Sequence, residues 1–339
     1  MTTLVTGGLG TVGSWVNRRL IEEHEQVICL DNLNNLDLIE DIKDQVTVIN
    51  ADILNMGEII RLLKKHQVDS IVHTAALLGQ KVQSRIAGVA DPVLAFEINA
   101  RGTLNVLEAA ITSDVRRVVF ISSKGAYDDP SGEHLSPKYV AINEEYPKSS
   151  KTLYGLFKNF GEDLGNLYSD IYGMEFVSLR FGAIYGPGRI RTGVSNAKPK
   201  SFSTKDNIII SSFQNIPITV KDDGIKDELI YLKDVAKSVR LALKAKKLEH
   251  RAYHFGGGGF VSTGEFAAAV KKKIPEAKIE VIENNFKLHK EERQEEYLMK
   301  RFRMDSSRAQ SELGYFPDYP LEKGIEDYIH WLREHRTTP

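Results

Sequence analysis

A tyrosine and a lysine four positions apart, with a serine upstream, could perform proton transfer in this sequence. Tyr154 and Lys158 occur in "TLYGLFK", and their spacing puts both on one face of a predicted helix. Ser123 ends the apolar run "VVFISS", which predicts a buried strand. A free tyrosine has a pKa of about 10, and a neighbouring ammonium stabilises its phenolate, so the pair could exchange a proton with a substrate hydroxyl. A lone Y-x-x-x-K is more often two exposed side chains, so the assignment depends on the elements around it.

Four glycines in "TGGLGTVG" indicate a phosphate-binding loop near the start of the chain. Gly8, Gly10 and Gly13 fit G-x-G-x-x-G, whereas Gly7, Gly10 and Gly13 fit G-x-x-G-x-x-G. A predicted strand precedes the loop, a helix follows, and Asp31 ends the next strand, as in a dinucleotide-binding unit. Backbone N–H groups and the positive end of the helix would bind a pyrophosphate. The alternative is a structural turn with a solvated Asp31.

The residues after the second predicted strand favour NAD over NADP. The Asp31 carboxylate would accept hydrogen bonds from ribose hydroxyls and repel a 2′-phosphate, and "DNLNN" has no Arg or Lys to attract one. We therefore predict NAD as the cofactor, bound by residues of the loop and of the second strand's end: Gly7, Gly10, Thr11, Val12, Gly13, Asp31 and Asn32.

Short apolar runs alternate with amphipathic helical stretches along the first half of the chain. This pattern predicts an α/β protein with a Rossmann-type doubly wound parallel sheet, in which ligands bind at the carboxyl ends of the strands. We expect residues 1–180, with a returning segment at about 208–250, to form the NAD-binding domain. Residues 181–207 and 251–339 are expected to form a smaller, discontinuous C-terminal substrate domain.

The composition excludes several classes of partner. The formal net charge is −1, with 42% hydrophobic and 27% charged residues, so nothing favours nucleic acid as a partner. The single cysteine, Cys29, cannot form a disulfide within the chain, and no apolar run approaches the ~20 residues that span a bilayer. No His/Cys/Asp cluster has metal-ligand spacing. We expect a cytoplasmic protein with a small-molecule substrate, no membrane contact and no metal.

Motifs along nearly the whole chain resemble those of the extended short-chain dehydrogenases/reductases, also called NAD-dependent epimerases/dehydratases. Besides the glycine loop, they are "LDN", "NADI", "VHTAA", "FEINARGTLNVLEAA", "FISSKGAY", "YGLFK", "LRFGAIYGPG", "DELIYLKDVAKSV" and "ELGYFP". The resemblance implies that Tyr154 is the catalytic base or acid, that Lys158 activates it and binds the cofactor ribose, and that Ser123 orients the substrate.

The same resemblance extends the predicted cofactor site. It implies that Asp52 and Ile53 contact adenine and that Ala75 and Ala76 line the side of the nicotinamide ribose. It also implies that Asn99 orders the central helix.

Departures from the family's motifs narrow the chemistry. Family dehydratases resemble "TDEVY", whose Asp–Glu pair performs elimination, and related decarboxylases have Glu where Gly125 stands. This chain has "SKGAY" from Ser123 onward, which disfavours both reactions. We expect hydride transfer at a secondary alcohol or ketone of a sugar or sugar-acid-like substrate, as a dehydrogenase or an epimerase. The alternatives are a nucleotide-sugar 4-epimerase resembling UDP-glucose 4-epimerase and a non-catalytic NAD-binding regulator.

The substrate contacts are a further set of predictions. Ala183 stands where nucleotide-sugar enzymes of the family usually have Asn, and Lys226 where they commonly have Arg, which weakens the case for a nucleotide diphosphate. Lys124 could select an anionic group, and the two arginines after "YGPG" could bind a carboxylate or phosphate or lie on a solvated loop. The candidate substrate-binding residues are Lys124, Tyr127, Arg189 and Arg191.

Two long predicted helices, at about 93–112 and 152–171, have apolar faces too large for one side of a sheet. In relatives, such helices pair across a two-fold axis into a four-helix interface. We therefore expect a homodimer.

Overall fold

The structure is a computed structural model that describes residues 1–77, 91–127, 130–188, 203–283 and 301–335. In these ranges the strands are β1 (Thr2–Thr6), β2 (Gln26–Asp31), β3 (Thr47–Asn50), β4 (Ser70–His73), β5 (Arg117–Ile121), β6 (Glu175–Phe181), β7 (Ala183–Tyr185), β8 (Ile218–Asp222), β9 (Asp227–Tyr231), β10 (Ala252–Phe255), β11 (Gly259–Val261) and β12 (Ile279–Glu283). The α-helices are α1 (Thr11–Glu22), α2 (Met56–His66), α3 (Pro92–Phe96), α4 (Gly102–Thr112), α5 (Leu153–Tyr172), α6 (Thr204–Phe213), α7 (Leu232–Lys244), α8 (Thr263–Lys273), α9 (Ser307–Leu313) and α10 (Leu321–Glu334). A π-helical turn, Glu97–Arg101, joins α3 to α4.

Seven parallel strands form the main sheet, in the order β10-β6-β5-β4-β1-β2-β3. Every residue of β1 and β5 is buried, because helices cover both faces of the sheet. The strand order reverses between β1 and β4, and ligands of such sheets bind outside the carboxyl ends at that point. The predicted doubly wound parallel sheet is confirmed.

The two faces of the sheet are covered by different helices. Leu4 and Val106 belong to the core beneath α2, α4 and α5, while Val5 and Val239 belong to the core beneath α1 and α7. Leu4 and Val5 are neighbours in β1, so the two-residue period of the strand assigns them to opposite layers. The helices on both faces of the sheet therefore pack against side chains of the same central strand, β1.

Glycines let α5 lie unusually close to the sheet. A Cβ on Gly165 would lie 2.1 Å from the Phe176 ring of β6, and a Cβ on Gly161 would lie 2.6 Å from the Phe120 ring of β5. Any larger residue at these positions would push the helix outward. This close packing fixes the height of α5 against the carboxyl end of β5.

A smaller unit is built mainly from the second half of the chain. Two small sheets, β11-β9-β7 and β12-β8, pack with α6, α8 and α10 around a core that includes Phe266 and Tyr328. Two boundaries differ from the sequence-based division. β10 lies within residues 251–339 but belongs to the main sheet, because it pairs with β6. Within the returning segment 208–250, most of α6 packs against α8 and α10, and β8 and β9 belong to the small sheets, whereas α7 returns to pack on α1.

Among the helices of the described ranges, none is long and apolar enough to cross a bilayer. The cytoplasmic location stays a prediction. Cys29 is buried in β2, where its thiol contributes to a small apolar cluster.

Candidate active site

The carboxyl end of β5 and the first turns of α5 bring the three predicted catalytic residues together. Lys158 is buried, and its Nζ donates a hydrogen bond of 2.6 Å to the carbonyl oxygen of Ile121, the last residue of β5. The same Nζ lies 5.6 Å from the centre of the Tyr154 ring. One turn of helix separates the two side chains, so the spacing that suggested a pair in the sequence produces one in the structure.

Ser123 lies beside the same tyrosine. A Cβ on Gly125 would lie 3.4 Å from the Ser123 Oγ and 3.4 Å from Cδ1 of the Tyr154 ring, so this glycine sits between the two side chains. The Ser123 Oγ accepts a hydrogen bond of 3.1 Å from the Gly125 N–H, which orients the hydroxyl at the start of a short 3-10 turn. A side chain at position 125 would contact both the serine hydroxyl and the tyrosine ring.

Burial tunes the charge of Lys158. Desolvation lowers the pKa of its ammonium to about 8, and the nearby Glu162 carboxylate partly opposes this effect. The group is therefore still protonated at neutral pH and becomes neutral in mildly alkaline solution. A cation beside the Tyr154 ring stabilises the phenolate, which is the form that can accept a proton from a hydroxyl group.

A small cavity joins these residues to the end of β4. Asn99 of the π-helical turn lies in its wall and is held by two hydrogen bonds to the backbone of Leu77. Its side chain accepts from the Leu77 N–H at 2.8 Å and donates to the Leu77 carbonyl at 3.0 Å. Asn99 thus fixes the chain just beyond Ala75 and Ala76. The lining residues are Ala75, Ala76, Asn99, Thr103, Phe120, Tyr154, Phe157 and Lys158.

The glycine loop has the shape that a pyrophosphate site requires. Gly7 has a φ of +67°, and a Cβ on Gly13 would lie 2.3 Å from the Gly7 carbonyl oxygen. A Cβ on Gly10 would meet only that same oxygen within 4 Å, so the space beside Gly10 is open. A Cβ on Gly8 would lie 2.5 Å from the Cys29 Sγ, so the structure constrains glycines of both spacings. Thr11 and Val12 form the first turn of α1, whose N–H groups would bind a pyrophosphate.

The acidic residue after β2 lies next to this loop. The Asp31 carboxylate accepts hydrogen bonds of 3.0 Å from the Leu9 N–H and 3.0 Å from the Leu33 N–H. Burial raises the pKa of this carboxyl, and the backbone hydrogen bonds partly oppose the rise. Asn32 is exposed beside it. A buried carboxylate at the rim of a phosphate loop suits ribose hydroxyls and is unfavourable for a 2′-phosphate.

The predicted adenine contacts lie just after β3. The Asp52 carboxylate accepts a hydrogen bond of 2.9 Å from the Leu54 N–H, which shapes the turn after the strand. Ile53 is buried against Gly102, where a Cβ would lie 2.5 Å from Cδ1 of Ile53. Because β1 to β5 are parallel and paired, the loops after them all meet at one edge of the sheet.

Comparison with known proteins assigns the chain to a family. The NAD dependent epimerase/dehydratase family model matches residues 3–256. The chain belongs to this family. A Methanocaldococcus jannaschii protein provisionally named UDP-glucose 4-epimerase is 30% identical and matches over 99% of each chain. The UDP-glucose 4-epimerase of Halalkalibacterium halodurans is 26% identical over 99% of this chain and 96% of its own length.

A solved structure in the family connects the fold to the cofactor. The Thermus thermophilus UDP-glucose 4-epimerase in complex with NAD is 26% identical, with a TM-score of 0.78 over 99% of this chain and all of that chain. The protein is an NAD-dependent enzyme, and the predictions of family, fold and cofactor are confirmed. When bound, NAD supplies the hydride acceptor and donor, and the glycine loop and Asp31 are the groups that would hold it.

Two predicted substrate residues have other partners in this family member. Lys124 is buried, and its ammonium forms an ion pair with Asp227 at the start of β9. Tyr127 is fully buried, and its hydroxyl contacts Arg180 and the His254 ring. Each polar group therefore has a partner inside the protein, and the assignment of both residues to the substrate stays a prediction.

The remaining substrate predictions have different outcomes. Arg189 and Arg191 lie outside the described residues. Lys226 lies at the surface, where its ammonium pairs with Glu265 at 2.7 Å. Ala183 begins β7 and is partly buried.

Sequence reasoning missed a buried polar group directly behind the three catalytic candidates. Glu162 accepts a hydrogen bond of 2.5 Å from the Ser122 hydroxyl and forms an ion pair of 2.5 Å with Arg180. Two signals were present in the sequence: Glu162 lies four residues after Lys158 on the same helical face, and Arg180 interrupts the apolar strand "EFVSLRF". A buried arginine in a strand needs an acidic partner.

Proposed function

We propose that this enzyme is a sugar 4-epimerase whose substrate is a nucleotide-linked hexose. The observation that most supports the proposal is the convergence of Ser123, Tyr154 and Lys158, with Lys124-Gly125-Ala126 following the serine. This set can move a proton to and from a hydroxyl, while positions 124–126 offer no acid for elimination. Relatives that match over nearly the whole chain are named UDP-glucose and UDP-glucuronate 4-epimerases.

Each residue has a definite part in the proposed reaction. Tyr154, as phenolate, accepts the proton of the substrate hydroxyl while the carbon is oxidised, and Ser123 donates a hydrogen bond to the same oxygen. Lys158 stabilises the phenolate throughout. The oxidised sugar then rotates in the site and presents the opposite face of the same carbon. Tyr154 returns its proton to that oxygen as the carbon is reduced on this face. The residues end the cycle as they began, with no net oxidation.

A substrate panel tests the proposal. The protein is incubated with NAD and, separately, with UDP-glucose, UDP-galactose, UDP-glucuronate and UDP-galacturonate, and products are separated by anion-exchange chromatography while NADH absorbance is followed. We expect interconversion of one pair of epimers without accumulation of NADH. Stoichiometric NADH would instead identify a dehydrogenase, and NAD binding without turnover of any sugar would favour a regulator.

We also propose that two copies of the chain associate through α3 and α5. Among the described residues, large apolar side chains are exposed on both helices. On α3 they include Val93 and Phe96, with 73% and 54% of their surface exposed. On α5, Leu156, Phe160, Leu167 and Ile171 form an exposed stripe along one side. Burying such a stripe against its two-fold copy would remove it from water.

Leu167→Asp is expected to convert the dimer into a monomer, because it places a charge in the middle of the apolar stripe. Sedimentation velocity at micromolar concentration measures the change. Phe316→Asp is the matched control, since Phe316 is 60% exposed but lies outside both helices. A wild-type protein that sediments as a monomer would contradict the proposed interface.

A further inference from the structure

One face of α5 contacts two successive residues at the end of β5. Lys158 donates to the carbonyl oxygen of Ile121, and Glu162, one turn later, accepts from the hydroxyl of Ser122 at 2.5 Å. The next residue along the chain is Ser123. Two adjacent points immediately before the substrate-orienting serine are therefore held by the helix that also presents the tyrosine.

Glu162 is built into this position by strong contacts. Its side chain is 1% exposed, and Arg180 of β6 donates from Nε to Oε1 at 2.9 Å and from Nη2 to Oε2 at 2.5 Å. Burial opposes ionisation, but the hydrogen bond and charge of Arg180 outweigh it, so the pKa of Glu162 lies below its ordinary value. Glu162 is thus a carboxylate at neutral pH and cannot rotate away from Ser122 without breaking a bidentate ion pair.

We propose that Glu162 is a positioning residue, which sets the orientation of Ser123 through Ser122 and holds Lys158 in its charged form. The proposal rests on the proposed function only in assuming that Ser123 and Lys158 serve proton transfer. The structural alternative is that Glu162 exists only to neutralise Arg180. That alternative does not require a hydrogen bond to the residue preceding Ser123.

The electrostatic part follows from where the charges lie. Lys158 is buried, and Glu162 is the charged group that raises its pKa against the desolvation penalty. Opposite charges attract strongly where water is excluded. Removing the Glu162 carboxylate therefore makes the protonated form of Lys158 less favourable. The titratable and charged groups that face this region from its surrounding elements are Tyr154 on α5 itself, His73 of β4, Tyr127 directly after the 3-10 turn, Lys148 of the loop before α5, and Arg180 of β6.

Three variants separate the two parts of the role. Glu162→Gln removes the charge and keeps a group that can meet the Ser122 hydroxyl. Ser122→Ala removes the hydrogen bond and leaves the Glu162–Arg180 pair intact. Asp170→Asn is the control, since Asp170 lies about two turns beyond Glu162 on the same helix, and its 63% exposed side chain pairs with Arg251. If Glu162→Gln alone does not fold, Glu162→Gln combined with Arg180→Gln takes its place, because replacing both members of a buried pair is tolerated better than replacing one.

The protonation state of Lys158 can be measured without any substrate. Chemical shifts of carbon-13-labelled lysine Cε give the pH at which Lys158 loses its proton, with Lys158→Met used for assignment. We expect Glu162→Gln to lower that pH by about one unit, the double variant to lower it by less because it also removes the Arg180 cation, and Ser122→Ala and Asp170→Asn to leave it unchanged. An unchanged Lys158 titration in the carboxamide variant would overturn the electrostatic role.

The effect of Glu162 and Ser122 on the orientation of Ser123 is measured by steady-state kinetics. We expect Ser122→Ala to lower kcat about tenfold with KM unchanged and with no shift of the pH profile of kcat, whereas Glu162→Gln moves both limbs of that profile to lower pH. A Ser122→Ala enzyme with wild-type kcat would overturn the positioning role. A wild-type protein that turns over none of the sugars would remove the proposed function, while the Lys158 titration would still decide whether Glu162 holds the charge.

Discussion

Replacing Tyr154 with Phe is expected to lower kcat about 10³-fold while NAD binding changes less than about twofold. The ring lies in the wall of the cavity beside Ala75 and Ala76, so phenylalanine keeps the packing there. What disappears is the hydroxyl, which in the proposed function accepts and returns the substrate proton beside the Lys158 ammonium, 5.6 Å from the ring centre. The hydroxyl contributes an interaction that is made only in the transition state. Its loss therefore lowers kcat and leaves the affinity for the cofactor intact.

The measurement pairs steady-state epimerisation with fluorescence titration of NADH. Tyr172→Phe is the control, because Tyr172 ends the same helix and is 54% exposed, far along it from the glycine loop. Equal turnover by the Tyr154→Phe enzyme and the wild type would mean that another group moves the proton. A parallel loss of NADH binding would mean that the tyrosine acts mainly by holding the cofactor.

Lys158→Met is expected to lower kcat by about 10²-fold or more and, at the same time, to make the protein more stable. Methionine fits the volume of the buried stem but lacks the ammonium, which in the proposed function stabilises the Tyr154 phenolate. The stability gain has a separate cause. The pKa of Lys158 is about 8 when folded and 10.5 in an exposed lysine, so folding at neutral pH places a charge where it is unfavourable. Removing that charge raises the free energy of unfolding, and losing the hydrogen bond to Ile121 lowers it. The net increase is expected to be about 1–3 kcal/mol.

The sign of the pH dependence provides an internal check. Below about pH 8 the lysine is charged in both the folded and unfolded states, and the wild type bears the full cost. As the pH rises towards 10.5, the folded protein has lost the proton that the unfolded chain still binds, so the cost fades. The stability advantage of Lys158→Met, measured by urea unfolding, is therefore expected to be largest at neutral pH and to shrink near pH 10.

Lys65→Met controls for the loss of a lysine, because Lys65 is exposed on α2. It is expected to change neither turnover nor the urea midpoint. A Lys158→Met protein that is less stable than wild type at neutral pH would show that the ammonium stabilises the fold through its contacts by more than its burial costs.

The sequence by itself determined the features that depend on neighbouring residues. The glycines of "TGGLGTVG" mark the turn from the first strand into the first helix, and Tyr154 and Lys158 share a helical face because of their four-residue spacing. The parallel sheet follows from apolar runs alternating with helices, and a parallel sheet gathers the ends of its strands at one edge. These rules are local or follow from chain geometry, and they were sufficient to predict the fold and the three catalytic candidates.

Only the tertiary structure decided which charged groups reach the site and which are occupied elsewhere. Lys124 meets Asp227, and Tyr127 meets Arg180 and His254, across separations of more than fifty residues that no local pattern encodes. Glu162 becomes part of the site because glycines in α5 let that helix approach β5 closely enough for Ser122 to reach it. Side-chain pairing of this kind depends on distances in the folded chain, since a buried charge must find a partner wherever the packing brings one.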